Sequence, residues 1–306
     1  MRYGVIGTGA VGGYLGIKLM HAGYDVHFLA RSDFAVIKEK GLMLYSVRGD
    51  VYLPEVPVYS SSSAMPPCDV LLVCTKTTAN AQLPSVLAPL LASHPLVIMI
   101  QNGIGMEEDL AGALPHAKIA GGAAYIAVTK TAPACIRHLD IGKLSLAPFS
   151  ENTGHELIPV ADELTKADVK TTLLPRLDEI RWRKLVWNIP FNGLSVVLNT
   201  TTEGILRNEK WRSRAWTLMQ EVVEAARACG TAIEKEYAGK MMEMTQKMPS
   251  YATSMKDDYD NHRPLEIEYM YQRPASFARR AGFIMHETEV LTRELLEADR
   301  LNRKYR

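Results

Sequence analysis

The sequence predicts a two-part α/β chain. Strands alternate with helices through residues 1–174, and helices alone follow through residues 175–306. Three observations predict it. A glycine-rich turn joins a strand to a helix at the front of the chain. Short apolar runs of strand length recur through the first half. Beyond residue 175 those runs stop, and apolar residues fall at three- and four-residue spacing instead.

The first element is the apolar run 3–6. It is followed by Gly7-Thr8-Gly9-Ala10-Val11-Gly12 and then by a helical pattern through Tyr14, Leu15, Ile17, Leu19 and Met20. A G-x-G-x-x-G turn in this strand–helix setting is the dinucleotide-binding fingerprint of a Rossmann-type domain. Gly7 permits the tight turn, Gly9 lets the backbone approach a pyrophosphate, and Gly12 lets the helix pack on the strand. The phosphates are expected at the helix N-terminus, where unpaired N–H groups and the helix dipole favour negative charge.

The second strand, 26–29, ends about 20 residues after the glycines, where an NAD-selective site places an acidic residue against the ribose hydroxyls. This chain has Ala30-Arg31-Ser32 there. An arginine's fork of donors suits a 2′-phosphate, and an acidic residue repels one. Arg31 therefore reads as a selector for NADP(H), with a solvated surface charge as the alternative.

Further strands are expected at 42–45 and 51–53, bracketing a hairpin turn at Arg48-Gly49-Asp50, and at 70–74 and 97–100, both short enough for buried parallel strands. A helix is expected over 79–91, with Pro84 in its first turns. Strands follow at 123–129, 134–139 and 143–147, with turns at Pro133 and Gly142. Leu173-Leu174-Pro175 marks the domain boundary. Helical patterns then cover 178–198, 210–229 and 287–304, and Gly230 and Gly282 stand where helices end. The cleft between the halves is the expected place for a substrate.

Composition narrows the function. A chain of 306 residues with 47% hydrophobic residues has ample material for cores, and a net charge of +1 gives no reason to expect nucleic acid or a membrane surface as partner. The basic C-terminus (Arg300, Arg303, Lys304, Arg306) reads as a favourable helix end. Four cysteines without a C-x-x-C pair read as buried thiols of a reducing compartment, and eight scattered histidines offer no metal-ligand spacing, so no metal is expected. A strand beginning at residue 2 or 3 leaves no room for a signal peptide. No apolar run approaches the roughly 18 residues of a membrane span. A cytoplasmic protein is expected.

The chemistry-bearing stretch is Lys184, Asn188 and Asn192. Spaced by four, these three stand on one helix face, about 6 Å apart per step. Their neighbours Leu185, Val186, Trp187, Ile189, Phe191 and Leu194 are apolar. A polar stripe in such a helix serves either a ligand or a buried network. Pro190 removes one helical hydrogen bond and is expected to kink the run, aiming the stripe toward a cleft.

Taken together, Gly7 to Gly12, Arg31, Cys74-Thr75-Lys76, Gln101-Asn102-Gly103, Trp182-Arg183-Lys184 with Asn188 and Asn192, Thr253-Ser254-Met255 and Arg263-Pro264-Leu265-Glu266-Ile267-Glu268 resemble the ketopantoate reductase family (2-dehydropantoate 2-reductases) over essentially the whole chain. The resemblance implies NADPH-dependent reduction of 2-dehydropantoate to (R)-pantoate, a small 2-oxo acid being the partner. It implies cofactor contacts at the glycine loop, Arg31, Lys76, Asn102, Ala127 and Glu266. It makes Lys184 the catalytic lysine with Glu266 as its partner, and it assigns substrate binding to Asn102, Lys184, Asn188, Asn192 and Ser254. Two positions depart from the family pattern. Thr202 stands where a further asparagine is usual, and Tyr271-Gln272 replaces Asn-Gly. These departures leave room for a different 2-oxo acid on the same scaffold. A non-catalytic NADPH sensor is the alternative of another class, and retention of Lys184 and Glu266 argues against it. A homodimer is one assembly the sequence allows.

Overall fold

The computed structural model describes residues 1–248, 250 and 252–303. Two compact units emerge. One comprises Met1–Gln101 and Met106–Ile180, and the other Asn102–Gly105 with the described residues from Arg181 onward.

The first unit runs β1 (Arg2–Ile6), α1 (Ala10–His21), β2 (Asp25–Leu29), α2 (Phe34–Lys40), β3 (Leu42–Ser46), β4 (Val51–Leu53), β5 (Val58–Tyr59), β6 (Val70–Val73), α3 (Leu83–Leu87), β7 (Leu96–Met99), α4 (Met106–Ala113), β8 (Lys118–Ala132), β9 (Cys135–Pro148), α5 (Gly154–Lys166) and β10 (Lys170–Leu173). Its strands form one sheet in the order β4-β3-β9-β8-β7-β6-β1-β2-β5, with β10 paired to β9. β1 pairs in parallel with both β2 and β6. The chain therefore winds outward in opposite directions on either side of β1, and in such sheets ligands bind at the carboxyl ends of the strands around this switch point. The apolar runs of β1, β6 and β7 are buried on both faces, as parallel strands covered by helices must be, with Val5, Leu72 and Ile98 in one core with Tyr14 and Phe28.

Several expectations are corrected. The region 79–91 is not one helix. It is a 3₁₀ turn over Thr77–Gln82, the short α3, and a second 3₁₀ turn over Ala88–Ser93. Pro84 and Pro89 each lack an N–H, and two such losses within six residues stop an α-helical ladder. Gly142 does not separate two strands. β9 is continuous, and the extra residue is taken up as a bulge against β8 between Tyr125 and Ile126, where Ile141 and Gly142 adopt φ of 62° and 120°. β10, a polar edge strand, has no counterpart in the apolar pattern.

The second unit contains α6 (Leu177–Val197) from Arg181 on, α7 (Thr202–Arg207), α8 (Glu209–Ala228), α9 (Tyr237–Gln246), α10 (Ser254–Asp260), α11 (Arg273–Arg280) and α12 (His286–Asn302). The division lies at 180/181 rather than 174/175, because Leu177 and Ile180 in the first turn of α6 pack with Ala123 and Ala147 of the first unit. Trp182, Phe191, Met219, Met270 and Leu291 share the helical core. α6 runs without interruption through Pro190. Gly230 and Gly282 follow α8 and α11 with φ of 80° and 84°, as helix-terminating glycines do. Arg300 and Arg303 pair with Glu297 and Asp299, while Lys304 and Arg306 lie outside the described residues. Among the described residues no helix is long and apolar enough to cross a membrane, and no cluster of three or more His, Cys, Asp or Glu could hold a metal ion.

Candidate active site

In the first unit the predicted residues gather at the carboxyl ends of the parallel strands. Gly7 follows β1 with φ of 98°, and a Cβ there would lie 2.7 Å from Thr75 Cγ2 and 2.9 Å from Thr75 N. A Cβ on Gly12 would lie 2.1 Å from the Gly7 carbonyl oxygen and 2.9 Å from Cys74 Cβ, so the helix sits hard against the turn. Gly9 differs, since a Cβ there would meet nothing within 4 Å. It is also the N-cap of α1, and no side chain bonds to the first-turn amides. Thr8 Oγ1 donates to the Leu29 carbonyl (3.2 Å), which holds the loop to the end of β2. Ala10 and Val11 begin the helix, half-buried. The result is an open, uncapped helix N-terminus with backbone alone at the point of approach, which fits a pyrophosphate.

Arg31 lies two residues past β2, exposed, and makes no ion pair among the described residues. The nearest acidic residue in sequence, Asp33, is buried and accepts Lys130 Nζ on both oxygens at 2.9 Å. Burial works to raise the Asp33 pKa, but bonds from Lys130, Ser32 and the Ala134 N–H hold it below the usual carboxylate range. Asp33 is thus engaged with Lys130 rather than left for ribose hydroxyls. Lys76 is exposed just past β6. Ala127 lies in β8 beyond the stretch Lys118–Gly121 that pairs with β7. Sequence reasoning named Gln101 only as part of a motif, without a role, and missed Asn80. Gln101 Nε2 donates to the Thr75 carbonyl (2.8 Å) and to Asn80 Oδ1 (2.7 Å), tying the ends of β6 and β7 together. The signal in the sequence was the place of Gln101 beside Asn102 in the Gln-Asn-Gly motif.

The second unit holds every residue assigned to substrate or proton transfer. Along α6, Lys184 is half-buried, and Asn188 and Asn192 are 5% and 2% exposed. Burial, helped by the nearby Arg181 guanidinium and opposed by Glu266, lowers the Lys184 pKa from 10.5 to about 7. Glu266 is itself 5% exposed. It precedes a π-helical turn over Glu268–Gln272, and such turns often accompany functional sites. That turn also receives Asn102's loop: Ile104 N donates to the Tyr269 carbonyl (3.0 Å), and a Cβ on Gly103 would lie 2.4 Å from that oxygen.

Asn192 Nδ2 reaches only a soft acceptor, Met270 Sδ, at 3.6 Å, and its buried Oδ1 has no partner among the described residues. A buried amide oxygen in that state costs about 1–3 kcal/mol unless a ligand or water supplies a donor. Ser254 is exposed in the first turn of α10, behind the N-cap Thr253. Thr202 begins α7 and is buried. Tyr271 is fully buried, and its hydroxyl donates to the Ile189 carbonyl (3.2 Å), next to Pro190 in the middle of the stripe.

Known proteins match this chain over nearly its whole length. Residues 3–151 match the family described as ketopantoate reductase PanE/ApbA, and residues 176–298 match the ketopantoate reductase PanE/ApbA C-terminal family. A 2-dehydropantoate 2-reductase from Nostoc sp. is 39% identical over 309 aligned residues, covering 99% of this chain and 96% of that protein. The crystal structure of a 2-dehydropantoate 2-reductase from Geobacter metallireducens superposes with a TM-score of 0.94 at 35% identity, covering 97% of this chain and all of the other. A D-mandelate dehydrogenase solved with NADH and anilino(oxo)acetate shares the fold, with a TM-score of 0.91 at 19% identity over 99% of each chain. Both halves thus match the same enzymes in the same order, and the chain belongs to the ketopantoate reductase family of oxidoreductases.

Proposed function

We propose that this protein reduces 2-dehydropantoate to (R)-pantoate with NADPH, acting in the cytoplasm on a free 2-oxo acid. The observation that carries the reading is Lys184. It is a lysine with a pKa of about 7, on one helix face with two buried asparagines and within the field of a buried glutamate. Neither a solubilising surface nor an apolar core needs that arrangement.

When bound, NADPH supplies the hydride that forms the new C–H bond at the ketone carbon. As it does so, the C=O π electrons move onto oxygen. The Lys184 ammonium stabilises that developing charge and transfers one proton from Nζ to the oxygen, leaving a neutral amine that is reprotonated from solvent. A pKa near the working pH makes this donor effective in both directions of the cycle. Glu266 opposes the effect of burial on Lys184 and keeps its protonated form accessible. Asn102 and Asn188 orient the carbonyl, which removes part of the barrier by positioning alone. Ser254 holds the carboxylate. Asn192 Oδ1, the buried acceptor without a partner, accepts a hydrogen bond from the substrate's hydroxyl group. Gly7, Thr8, Gly9, Ala10, Val11 and Gly12 cradle the pyrophosphate, Lys76 and Ala127 flank the cofactor, and Arg31 pairs with its 2′-phosphate.

Lys184→Ala tests the proton-donor role. It is expected to lower kcat by about 10²–10⁴-fold while the NADPH Kd stays within a factor of about three. A variant whose kcat stays within about threefold of wild type would end the assignment, and the sensor alternative would gain.

A further inference from the structure

Two of the substrate anchors are joined by a chain of hydrogen bonds that the mechanism does not use. Ser195 and Thr253 are both completely buried. Ser195 Oγ donates to the Asn192 carbonyl (3.0 Å) and lies 2.7 Å from Thr253 Oγ1. Thr253 Oγ1 in turn accepts the Lys256 N–H (3.3 Å). Each hydroxyl has one proton. Ser195's is committed to Asn192, so Thr253 donates to Ser195, and the bonds run one way: Lys256 N–H to Thr253, Thr253 to Ser195, Ser195 to Asn192. One end of this chain is the backbone of Asn192, and Thr253 directly precedes Ser254. A second tie runs beside it. The Tyr271 hydroxyl that bonds to the Ile189 carbonyl also lies 3.8 Å from Met255 Sδ. Leu194, Val196 and Met255 around the pair are apolar and buried. Apolar side chains would fill the same volume, but they would not fix a direction or a distance between α6 and α10 as directional bonds do.

We propose that Ser195 and Thr253 are positioning residues that set the span between Asn192 and Ser254, and thereby the length of 2-oxo acid that fits with both ends engaged. The inference rests on the reading of Asn192 and Ser254 as substrate anchors. Neither hydroxyl touches substrate. Their effect passes through the two residues they hold.

The test uses the full chain at saturating NADPH with two acids, 2-dehydropantoate and 3,3-dimethyl-2-oxobutanoate, which lacks only the hydroxyl group. Ser195→Ala is the main variant, because it removes one buried hydroxyl and no cap. It is expected to raise KM for 2-dehydropantoate about tenfold with kcat within about threefold, the pattern of lost ground-state positioning. The preference for the hydroxylated acid is expected to fall by the same factor, and the NADPH Kd to stay unchanged. Thr253→Ser keeps the hydroxyl and is expected to behave as wild type. Thr253→Val is expected to match Ser195→Ala, and the double variant to be no worse than either single one. A fall in melting temperature with KM and acid preference unchanged in Ser195→Ala overturns the proposal and leaves the pair a structural tie. Lack of 2-dehydropantoate turnover by the wild-type protein is a different failure. It removes the functional reading, and this inference with it.

Discussion

The low pKa of Lys184 has a direct kinetic consequence. Burial, with Arg181 acting in the same sense, outweighs Glu266 and brings the ammonium from 10.5 to about 7. If Lys184 is the proton donor for reduction, activity follows its protonated fraction. About half of the molecules carry the proton at pH 7, and about 1 in 100 at pH 9. A lysine at its ordinary value would still be about 97% protonated at pH 9. The sign is therefore fixed: kcat/KM for the oxo acid falls as pH rises, about fiftyfold between pH 7 and pH 9, the slope approaching tenfold per pH unit at the alkaline end. Initial rates at constant ionic strength from pH 6 to 9.5 measure it. Glu266→Gln removes the charge that supports the ammonium, so its decline should begin at lower pH. A profile that stays level between pH 7 and 9 refutes the reasoning, as does an unchanged inflection in the residual activity of Lys184→Ala.

Other expectations are equally specific. Arg31→Asp should weaken NADPH binding about ten- to a hundredfold, the scale of a lost charge-assisted hydrogen bond, and leave NADH binding nearly unchanged. Equal losses in titrations with both cofactors would show that Arg31 does not read the 2′-phosphate. Gly9→Val adds a side chain in open space, so it should melt close to wild type and fail to bind NADPH. Gly12→Ala drives a methyl into the Gly7 carbonyl and should cost about 1–3 kcal/mol in urea unfolding. His138 is buried near Arg48 and Lys18, and its pKa is held below 6.5 despite bonds to the Ile141 and Asp140 carbonyls. The unfolded chain therefore takes up this proton first, and the stabilisation present above pH 6.5 is lost as pH falls below it. The urea midpoint should drop more between pH 7 and 5.5 in wild type than in His138→Asn.

What could be read from the sequence was what local pattern encodes. The glycine turn, the strands flanking it and the α6 stripe each rest on spacing within a few residues, and each stands where spacing put it. The errors arose where distant partners decide. β9 reads as two strands, because only its pairing with β8 shows that Gly142 sits in a bulge. The 79–91 segment has helical composition, but two prolines divide it. The first turn of α6 belongs with the first unit because of where Leu177 and Ile180 pack. Ser195, Thr253 and Gln101 are unremarkable residue types whose importance comes from partners far along the chain. Tyr271 appeared only as a departure from the family pattern. In the structure it fills the space beside Gly193, 3.0 Å from where a Cβ would stand, and bonds to α6 between the two asparagines.

The most direct test of the central claim is the initial rate of NADPH oxidation by the purified protein with 2-dehydropantoate, beside a panel of other 2-oxo acids and an NADH control, followed by nicotinamide absorbance. The account predicts saturable turnover of 2-dehydropantoate with NADPH, faster than with NADH and with a higher kcat/KM than for any other acid in the panel. Tight NADPH binding with efficient turnover confined to a different acid would contradict it, and would point to the buried Thr202 and Tyr271 as residues that changed the substrate.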